Sequence, residues 1–336
     1  MEHKLQQKVK RIGILTSGGD APGMNAAIRA IVRTAIGQGI ECVGIRRGYN
    51  GLINGDFIRM DDASIRHVVD KGGTILYTAR SQAFMEQEGQ KKALDTCKQL
   101  GLDGIVAIGG DGTFRGALAL SRLADECGME LSVVGIPATI DNDIGCTHYT
   151  IGFDTACNTA TQCIDKLRDT MQSHERCSVV EVMGRHAGYL ALYVGIAAGA
   201  TAVLIPELEL DFETDVAEPI RKARLAGTTH HMVVVAEGAA SAYDVSKRIQ
   251  DELGIDPRVT VLGHIQRGGT PSARDRETAS RMGYEAVMSL AEGRGDRIIA
   301  TQDGRIVDLD MEQALAMTKT LPPERYDVLE ALANSV

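Results

Sequence analysis

The chain has 336 residues, enough for about two domains that each bury a core. Hydrophobic residues make up 44% of it and charged residues 24%, which is ordinary for a globular protein in water. The formal net charge of -9, with 4% aromatic residues and no Trp, argues against a nucleic-acid partner. Phosphate backbones attract cations, and unpaired bases stack on aromatic rings.

Seven cysteines are scattered singly, with no close pair and no zinc-like spacing. An odd number without close pairs is typical of a reducing compartment. The first ten residues are polar and do not form a signal peptide. We therefore expect a cytoplasmic protein. The uncharged stretch 187–205 approaches the length of a membrane span, but its glycines and alanines favour a buried helix followed by a core strand.

Short apolar runs that end in polar or glycine-rich residues recur along the chain and predict buried strands. In chain order these strands cover residues 10–16, 41–45, 104–108, 131–136, 178–182, 232–236 and 259–262. Helices are predicted between them, among others at 24–36, up to Glu126 and up to Arg168. This alternation predicts an α/β fold with parallel sheets covered by helices on both faces.

The segment 137–143, Pro-Ala-Thr-Ile-Asp-Asn-Asp, follows one of these strands. Ligands of open α/β sheets bind at the carboxyl ends of strands. If the chain stays extended here, Thr139, Asp141 and Asp143 project from one side of it. One carboxylate would then accept a proton while its neighbour holds a metal. A polar turn is the alternative, because Asp and Asn favour turns.

Two Gly-Gly-Asp turns, at 18–20 and 109–111, also follow predicted strands. Glycines let backbone amides approach an anion, and the next helix points its dipole at the same place. Neither turn is a Walker A loop or a strict G-x-G-x-x-G motif, and a glycine turn alone is often structural. Asp111, between two glycines, is suited to hold Mg²⁺ near a phosphate.

Cationic side chains flank the strands of the second half. They are Arg176, Arg185, Arg258, His264 and Arg267. A lone arginine is usually solvated and a lone histidine is usually structural. Their repetition beside strands, in a chain of net charge -9, favours phosphate recognition by guanidinium groups.

Five motifs, in this order, resemble those of bacterial 6-phosphofructokinases over essentially the whole chain. They cover residues 16–25, 109–113, 139–143, 181–185 and 263–269. The second motif alone also occurs in NAD kinases and lipid kinases, whereas the combination is specific. The resemblance implies two Rossmann-like three-layer α/β/α domains with mainly parallel sheets. The nucleotide-binding domain would be 1–152 plus 267–315, and the sugar-phosphate-binding domain 153–266 plus 316–336.

The resemblance also implies a glycolytic kinase. It would transfer the γ-phosphoryl group of ATP, with Mg²⁺, to the 1-hydroxyl of fructose 6-phosphate, giving fructose 1,6-bisphosphate and ADP. Phosphoryl transfer asks mainly for positioning and charge neutralisation, and each of those parts has a candidate here.

Residue roles are carried over by position. Asp141 resembles the general base. Thr139 and Arg185 resemble groups that stabilise the transferring phosphoryl, and Gly19 is implied as a further catalytic residue. The implied metal ligands are Asp111 and Asp143. The implied nucleotide contacts are Gly19, Arg80, Ser81, Gly110, Asp111, Gly112 and Thr113. The implied substrate contacts are Thr139, Ile140, Asp141, Arg176, Met183, Gly184, Arg185, Glu237, Arg258, His264, Ile265, Gln266 and Arg267.

Two of these arginines, Arg176 and Arg258, correspond to residues that reach in from a neighbouring subunit. The resemblance therefore implies a homo-oligomer, expected to be a tetramer, with no membrane partner. Relatives also bind ADP or phosphoenolpyruvate between subunits. Three positions of that effector pocket are still basic here: Arg29, Arg33 and Arg168. Two others differ, because Asp62 stands where relatives have an arginine and Thr201 stands where they have a metal-binding glutamate. We expect weak or altered control, unless another residue compensates.

Two rival readings remain open from the sequence. Pyrophosphate-dependent relatives typically carry Asp where this chain has Gly112 and Lys where it has Ala138. Gly112 favours ATP, whereas Ala138 is neither that Lys nor the Gly usual in ATP enzymes. A catalytically silent regulatory subunit is the second rival. The joint presence of Asp111, Asp141 and Arg185 argues against it.

Overall fold

The computed structural model describes residues 9–333, which divide into two compact units. The first unit comprises the chain up to Thr139, Ile144–Gly152 and Arg267–Lys319. The second unit comprises Ile140–Asp143, Phe153–Gln266 and the chain from Thr320 onward.

These units differ from the expected domains at two places. Residues 140–143 group with the second unit and residues 316–319 with the first, the reverse of the expectation. The second difference has a local cause, because Gly145 lies against the Met317 backbone and leaves no room there for a side chain. The chain therefore stays with the first unit beyond residue 315.

The described residues form the following strands in chain order: β1 (Arg11–Ser17), β2 (Glu41–Ile45), β3 (Phe57–Met60), β4 (Gly104–Gly109), β5 (Ser132–Pro137), β6 (Cys177–Val182), β7 (Ala202–Leu204), β8 (His231–Ala236), β9 (Arg258–Val261), β10 (Arg297–Gln302) and β11 (Arg305–Asp310). The α-helices are α1 (Met24–Gly37), α2 (Tyr49–Asn54), α3 (Gln87–Leu100), α4 (Asp111–Glu126), α5 (Phe153–His174), α6 (Tyr189–Ala198), α7 (Glu218–Leu225), α8 (Ala242–Leu253), α9 (Ala273–Ala291), α10 (Met311–Ala316) and α11 (Pro323–Ala333). Shorter helical turns cover Ala83–Met85, Glu213–Ala217 and Gly263–Arg267.

The sheet of the first unit has the order β11-β10-β5-β4-β1-β2-β3. Its inner strands are parallel, and only the outer pairs, β10 with β11 and β2 with β3, are antiparallel. Every residue of β4 is buried, which requires cover on both faces of the sheet. The strand ends lie level, because Ser17 is in register with Gly109, and Gly109 with Pro137. Three of the sequence motifs therefore begin side by side.

The sheet of the second unit has the order β7-β8-β6-β9, and all its pairs are parallel. Its central strand β8 is buried throughout, which explains its continuous run of valines. Val182 is in register with Ala236, and Glu181 with Val261. The residues that follow β6, β8 and β9 therefore lie together at the carboxyl end of this sheet.

The stretch 187–205 forms α6 and β7, which confirms the predicted buried helix and core strand. Over the described part of the chain, we find no helix with both the length and the apolar character needed to cross a membrane. All seven cysteines are free thiols, and four of them are buried.

His231, the first residue of β8, should make stability depend on pH. It is 3% exposed, and its Nδ1 has no hydrogen-bond partner among the described residues. Burial, with smaller contributions from Arg224 and His230, lowers its pKa from 6.5 to about 4. The unfolded chain binds this proton near pH 6.5 and the folded chain only near pH 4. Stability is therefore lost as pH falls between those values.

We expect His231→Leu to abolish a loss of about 2 kcal/mol between pH 7.5 and pH 5. Urea unfolding of both proteins at the two pH values measures that difference. His174→Gln, at an exposed histidine of α5, is the matched control and should keep the wild-type pH dependence. If His231→Leu keeps it as well, the proton does not act at His231.

Candidate active site

The turns that follow β1 and β4 pack closely against each other in the first unit. The Thr113 hydroxyl donates to the Ser17 carbonyl at 3.1 Å. A Cβ at Gly109 would lie 2.4 Å from the same oxygen, so only glycine fits there. The Thr113 side chain is buried and bonded, and its backbone amide donates to the Gly110 carbonyl at 2.9 Å, so Thr113 holds the turn together.

Beside these turns lies open space at the amino end of α4. An added Cβ at Gly110 or at Gly112 would meet no atom within 4 Å. The first amides of a helix have no partner inside the helix, and its dipole attracts negative charge. The arrangement suits a phosphate group, as the sequence predicted.

Asp111 is the first residue of α4, and its side chain is half exposed. It accepts a hydrogen bond from Nε of Arg115, one turn later, at 2.7 Å. Among the described residues no three metal-binding side chains cluster together. In kinases Mg²⁺ is held by one or two carboxylates, with phosphates and waters supplying the other ligands. Asp111 fits that mode, in which the metal arrives with the nucleotide.

Arg267 lies over the first glycine turn. Its Nη1 donates to the Asp20 carbonyl at 3.0 Å. The same atom lies 2.7 Å from where a Cβ of Gly19 would be, so a side chain at residue 19 would displace the guanidinium. The structure thus joins Arg267, expected at the sugar phosphate, to a turn expected at the nucleotide.

The segment that carries Arg80 and Ser81 also packs on this turn. The Thr78 hydroxyl donates to the Gly18 carbonyl at 2.8 Å. Arg80 is exposed, so its guanidinium is available to a ligand. The Ser81 hydroxyl accepts from the Phe84 amide at 3.3 Å and begins a helical turn. Arg80 is thereby held near the expected phosphate position.

The segment after β5 is not extended and forms a turn, the alternative that the sequence left open. The chain turns at Ile140 and Asp141, and Asn142 has φ 53°, in the left-handed region. Asn enters that region more easily than most residues, because its side chain bonds locally. The alternation that would project Thr139, Asp141 and Asp143 from one side is therefore lost.

The residues of this turn differ in how deeply their side chains are buried. Asp141 is 7% exposed, whereas Asp143 is exposed. Ile140 is 0% exposed, so its side chain belongs to the core and the expected substrate contact would fall to its backbone. Asp141 is thus the buried carboxylate of the motif, an environment suited to a positioned acid or base.

In the second unit, the residues after β6 and β8 hold each other. An Oε of Glu237 accepts a hydrogen bond from the Arg185 amide at 2.8 Å. Arg185 has φ 57°, which is unusual for a residue with a side chain, and it follows Gly184 at φ 140°. A Cβ at Gly238 would lie 2.1 Å from the Arg185 carbonyl oxygen. The strained backbone is therefore held in place while the guanidinium stays exposed.

The residues of the helical turn after β9 differ in their solvent exposure. His264 and Ile265 are exposed, as a substrate contact requires. Gln266 is 0% exposed, and its Nε2 donates to the Gly263 carbonyl at 3.0 Å. Gln266 therefore holds the turn from inside, while its buried Oε1 has no hydrogen-bond partner among the described residues. Its sequence position next to exposed residues gave no sign of this.

Arg176 and Arg258 lie at the amino end of the strands of the second sheet. Arg176 precedes β6 and Arg258 begins the parallel strand β9, and both are exposed. The six residues of β6 span about 20 Å, so that distance separates these arginines from residues 183–185. A single second unit does not bring the two sets together.

Sequence reasoning missed a buried network in the first unit. Asp275, in the first turn of α9, is 0% exposed and accepts from the Tyr149 hydroxyl and the Gly152 amide, each at 2.7 Å. These partners are more than 120 residues away in the chain. The one local signal is Ser272, whose hydroxyl accepts from the Asp275 amide as a helix cap.

Comparison with known proteins agrees with this architecture. A phosphofructokinase family model matches residues 11–290. The ATP-dependent 6-phosphofructokinase of Clostridium botulinum strain Hall is 49% identical over 326 residues, covering 97% of this chain and 100% of that protein.

Solved structures extend the agreement to the fold. Phosphofructokinase from Saccharomyces cerevisiae is 35% identical with a TM-score of 0.85, covering 96% of this chain and 46% of that longer chain. Pyrophosphate-dependent phosphofructokinase from Marinobacter aquaeolei is 23% identical with a TM-score of 0.83, covering 97% of this chain and 92% of that chain. The second likeness concerns the fold alone.

Proposed function

The chain belongs to the phosphofructokinase family, and we propose on that basis that it is an ATP-dependent 6-phosphofructokinase of glycolysis. It transfers the γ-phosphoryl group of ATP to the 1-hydroxyl of fructose 6-phosphate. The observation that carries the choice of donor is the open space at Gly112, which leaves room for a nucleotide beside the amino end of α4. The 49% identity to a protein named for ATP supports the same donor.

The nucleotide side of the reaction is assigned to the first unit. The phosphates bind at the glycine turns, where backbone amides and Arg80 offer positive charge. Mg²⁺ would be held by Asp111, with Asp143 supporting it or its waters, and would neutralise charge on the phosphates. Asp111 must then exchange its bond with Arg115 for the metal.

Proton transfer and sugar-phosphate binding are assigned to the other residues. Asp141 accepts the proton of the attacking hydroxyl, as a buried and positioned base. Thr139 and Arg185 stabilise the transferring phosphoryl group. Met183, Gly184, Glu237, His264 and Arg267 bind the sugar phosphate.

We propose that Arg176 and Arg258 act in the active site of a neighbouring subunit, as the family resemblance implies. About 20 Å of strand separates them from the arginine at 185 in their own unit. We assign them to the substrate phosphate of a second copy. The active form is therefore a homo-oligomer, and the family resemblance favours a tetramer.

A direct assay tests this function. The purified protein is given fructose 6-phosphate and Mg²⁺ with ATP, then with pyrophosphate, and fructose 1,6-bisphosphate is measured. Formation with ATP alone is expected. Formation with pyrophosphate alone would instead support the pyrophosphate-dependent rival, which Ala138 leaves open. No formation with either donor would support a silent subunit.

Regulation by ADP or phosphoenolpyruvate should be weak. Asp62 lies 3.2 Å from the Arg33 guanidinium, so a carboxylate already neutralises one cation of the expected effector pocket. In the second unit, Thr201 accepts from the Met232 amide and offers no carboxylate for a metal. Each lost charged hydrogen bond weakens binding by about 1.5–3 kcal/mol.

We expect 1 mM of either effector to shift the half-saturating fructose 6-phosphate concentration by less than about twofold. Asp62→Asn frees Arg33 and should enlarge that shift. Saturation curves of both proteins, with and without effector, measure it. A large shift of the unmodified protein at sub-millimolar effector would contradict the prediction.

A further inference from the structure

The loop at residues 147–152 supports the backbone just after β5. Thr150 is 0% exposed, and its hydroxyl donates to the Thr139 carbonyl at 2.6 Å. The Ile151 amide donates to the Pro137 carbonyl at 3.0 Å, and Ile151 forms a parallel bridge with Ala138. Three consecutive residues of the β5 end are thus bonded or paired to this loop.

Asp275 holds the same loop from its other side. Its Oδ1 accepts from the Tyr149 hydroxyl and from the Gly152 amide, on either side of the two residues that contact the β5 end. A carboxylate with no exposed surface is unfavourable unless hydrogen bonds satisfy it. These two bonds hold the loop on both sides of Thr150 and Ile151.

Close packing leaves the loop no room to shift. A Cβ at Gly152 would lie 2.6 Å from the Ala21 Cβ, and one at Gly23 would lie 2.5 Å from Ile151 Cγ2. Both glycines have positive φ, at 102° and 113°. Any movement of the loop would therefore require movement of the chain between β1 and α1.

We infer that Thr150, in the loop fixed by Asp275, is a positioning residue that sets the location of Thr139. This inference rests on the proposed function, which assigns Thr139 to the transferring phosphoryl group. Phosphoryl transfer is sensitive to placement, and an error of about 1 Å in a reacting group costs about 100-fold in rate. The hydroxyl of Thr150 acts on the reaction only through the Thr139 backbone.

Thr147 provides a matched control within the same loop. It is also 0% exposed, and its hydroxyl donates to the Tyr149 carbonyl at 2.8 Å and lies 3.1 Å from the Thr301 hydroxyl. Neither of these partners is Thr139. Thr150→Val and Thr147→Val each remove one buried hydroxyl without changing side-chain shape. Thr147→Val should lower stability at least as much, because the Thr147 hydroxyl also accepts from the Thr301 amide at 2.9 Å.

The test compares kcat, KM for ATP and the unfolding midpoint in these variants. Thr150→Val should lower kcat by about 10-fold to 100-fold with KM for ATP changed less than about twofold. Thr147→Val should keep kcat within about twofold, and Thr150→Ser should restore most of the lost rate. Equal losses of kcat in both valine variants, or none in Thr150→Val, would overturn the inference.

Two further results complete the test. If Thr150→Val does not fold, Tyr149→Phe removes the bond from the Tyr149 hydroxyl to Asp275, and a kcat unchanged in that variant would overturn the inference. An active unmodified protein with a fully active Thr150→Val refutes the positioning role alone. An unmodified protein inactive with ATP refutes the proposed function and this role together.

Discussion

Asp141→Asn is expected to lower kcat by roughly 10²–10⁴-fold while leaving KM for both substrates nearly unchanged. The substitution removes the proton acceptor but keeps the size and planar shape of the side chain. Asp141 is 7% exposed, in a turn where Asn142 is in the left-handed region, and the substitution leaves the backbone of that turn unchanged. The loss should therefore fall on the chemical step and spare binding.

Steady-state kinetics with each substrate varied in turn measure this effect. Asp169→Asn, at an exposed carboxylate on α5 of the same unit, is the control and should keep kcat within about twofold. The unfolding midpoint of Asp141→Asn should stay close to that of the unmodified protein. Near-normal turnover by the folded variant would remove Asp141 from the mechanism.

The central strands of both sheets were predictable from the sequence. β2 has the predicted bounds, and β1, β4, β5, β6, β8 and β9 differ from prediction by one residue at one or both ends. Except for the edge strand β9, which is partly exposed, these strands are largely buried, so their apolar runs are continuous and bounded by polar turns. The outer strands of the first sheet, β3, β10 and β11, were missed. They are partly exposed at several positions, and their mixed patterns resemble loops.

The sequence motifs predicted which positions belong to the site. They did not predict which side chains there are buried and which partners they bond. Motif order identified Thr113 and Gln266, but only the structure shows that both side chains are buried and bonded to backbone carbonyls. The hydrogen bond from the Arg185 amide to Glu237 spans 52 residues, and no local pattern reports such a contact. Periodicity records which face of an element is apolar, whereas the partner of a polar group depends on tertiary packing.

Gly112→Asp is expected to raise KM for ATP by about 10³-fold. A carboxylate about 4 Å from a phosphate oxygen is repelled by about 4 kcal/mol at an effective dielectric constant near 20. The substitution should not disturb the fold, because an added Cβ meets no atom within 4 Å. An acidic residue in the first turn of α4 is also favourable toward the helix dipole. The whole effect should therefore appear in nucleotide use.

Gly112→Ala separates crowding from charge in the same experiment. It adds a methyl group without charge, so its KM for ATP should rise by much less, about tenfold or below. KM for fructose 6-phosphate and the unfolding midpoint should stay unchanged in both variants. ATP use by Gly112→Asp within about threefold of the unmodified protein would show that the nucleotide does not approach residue 112. The assignment of ATP to the open space at the amino end of α4 would then fail.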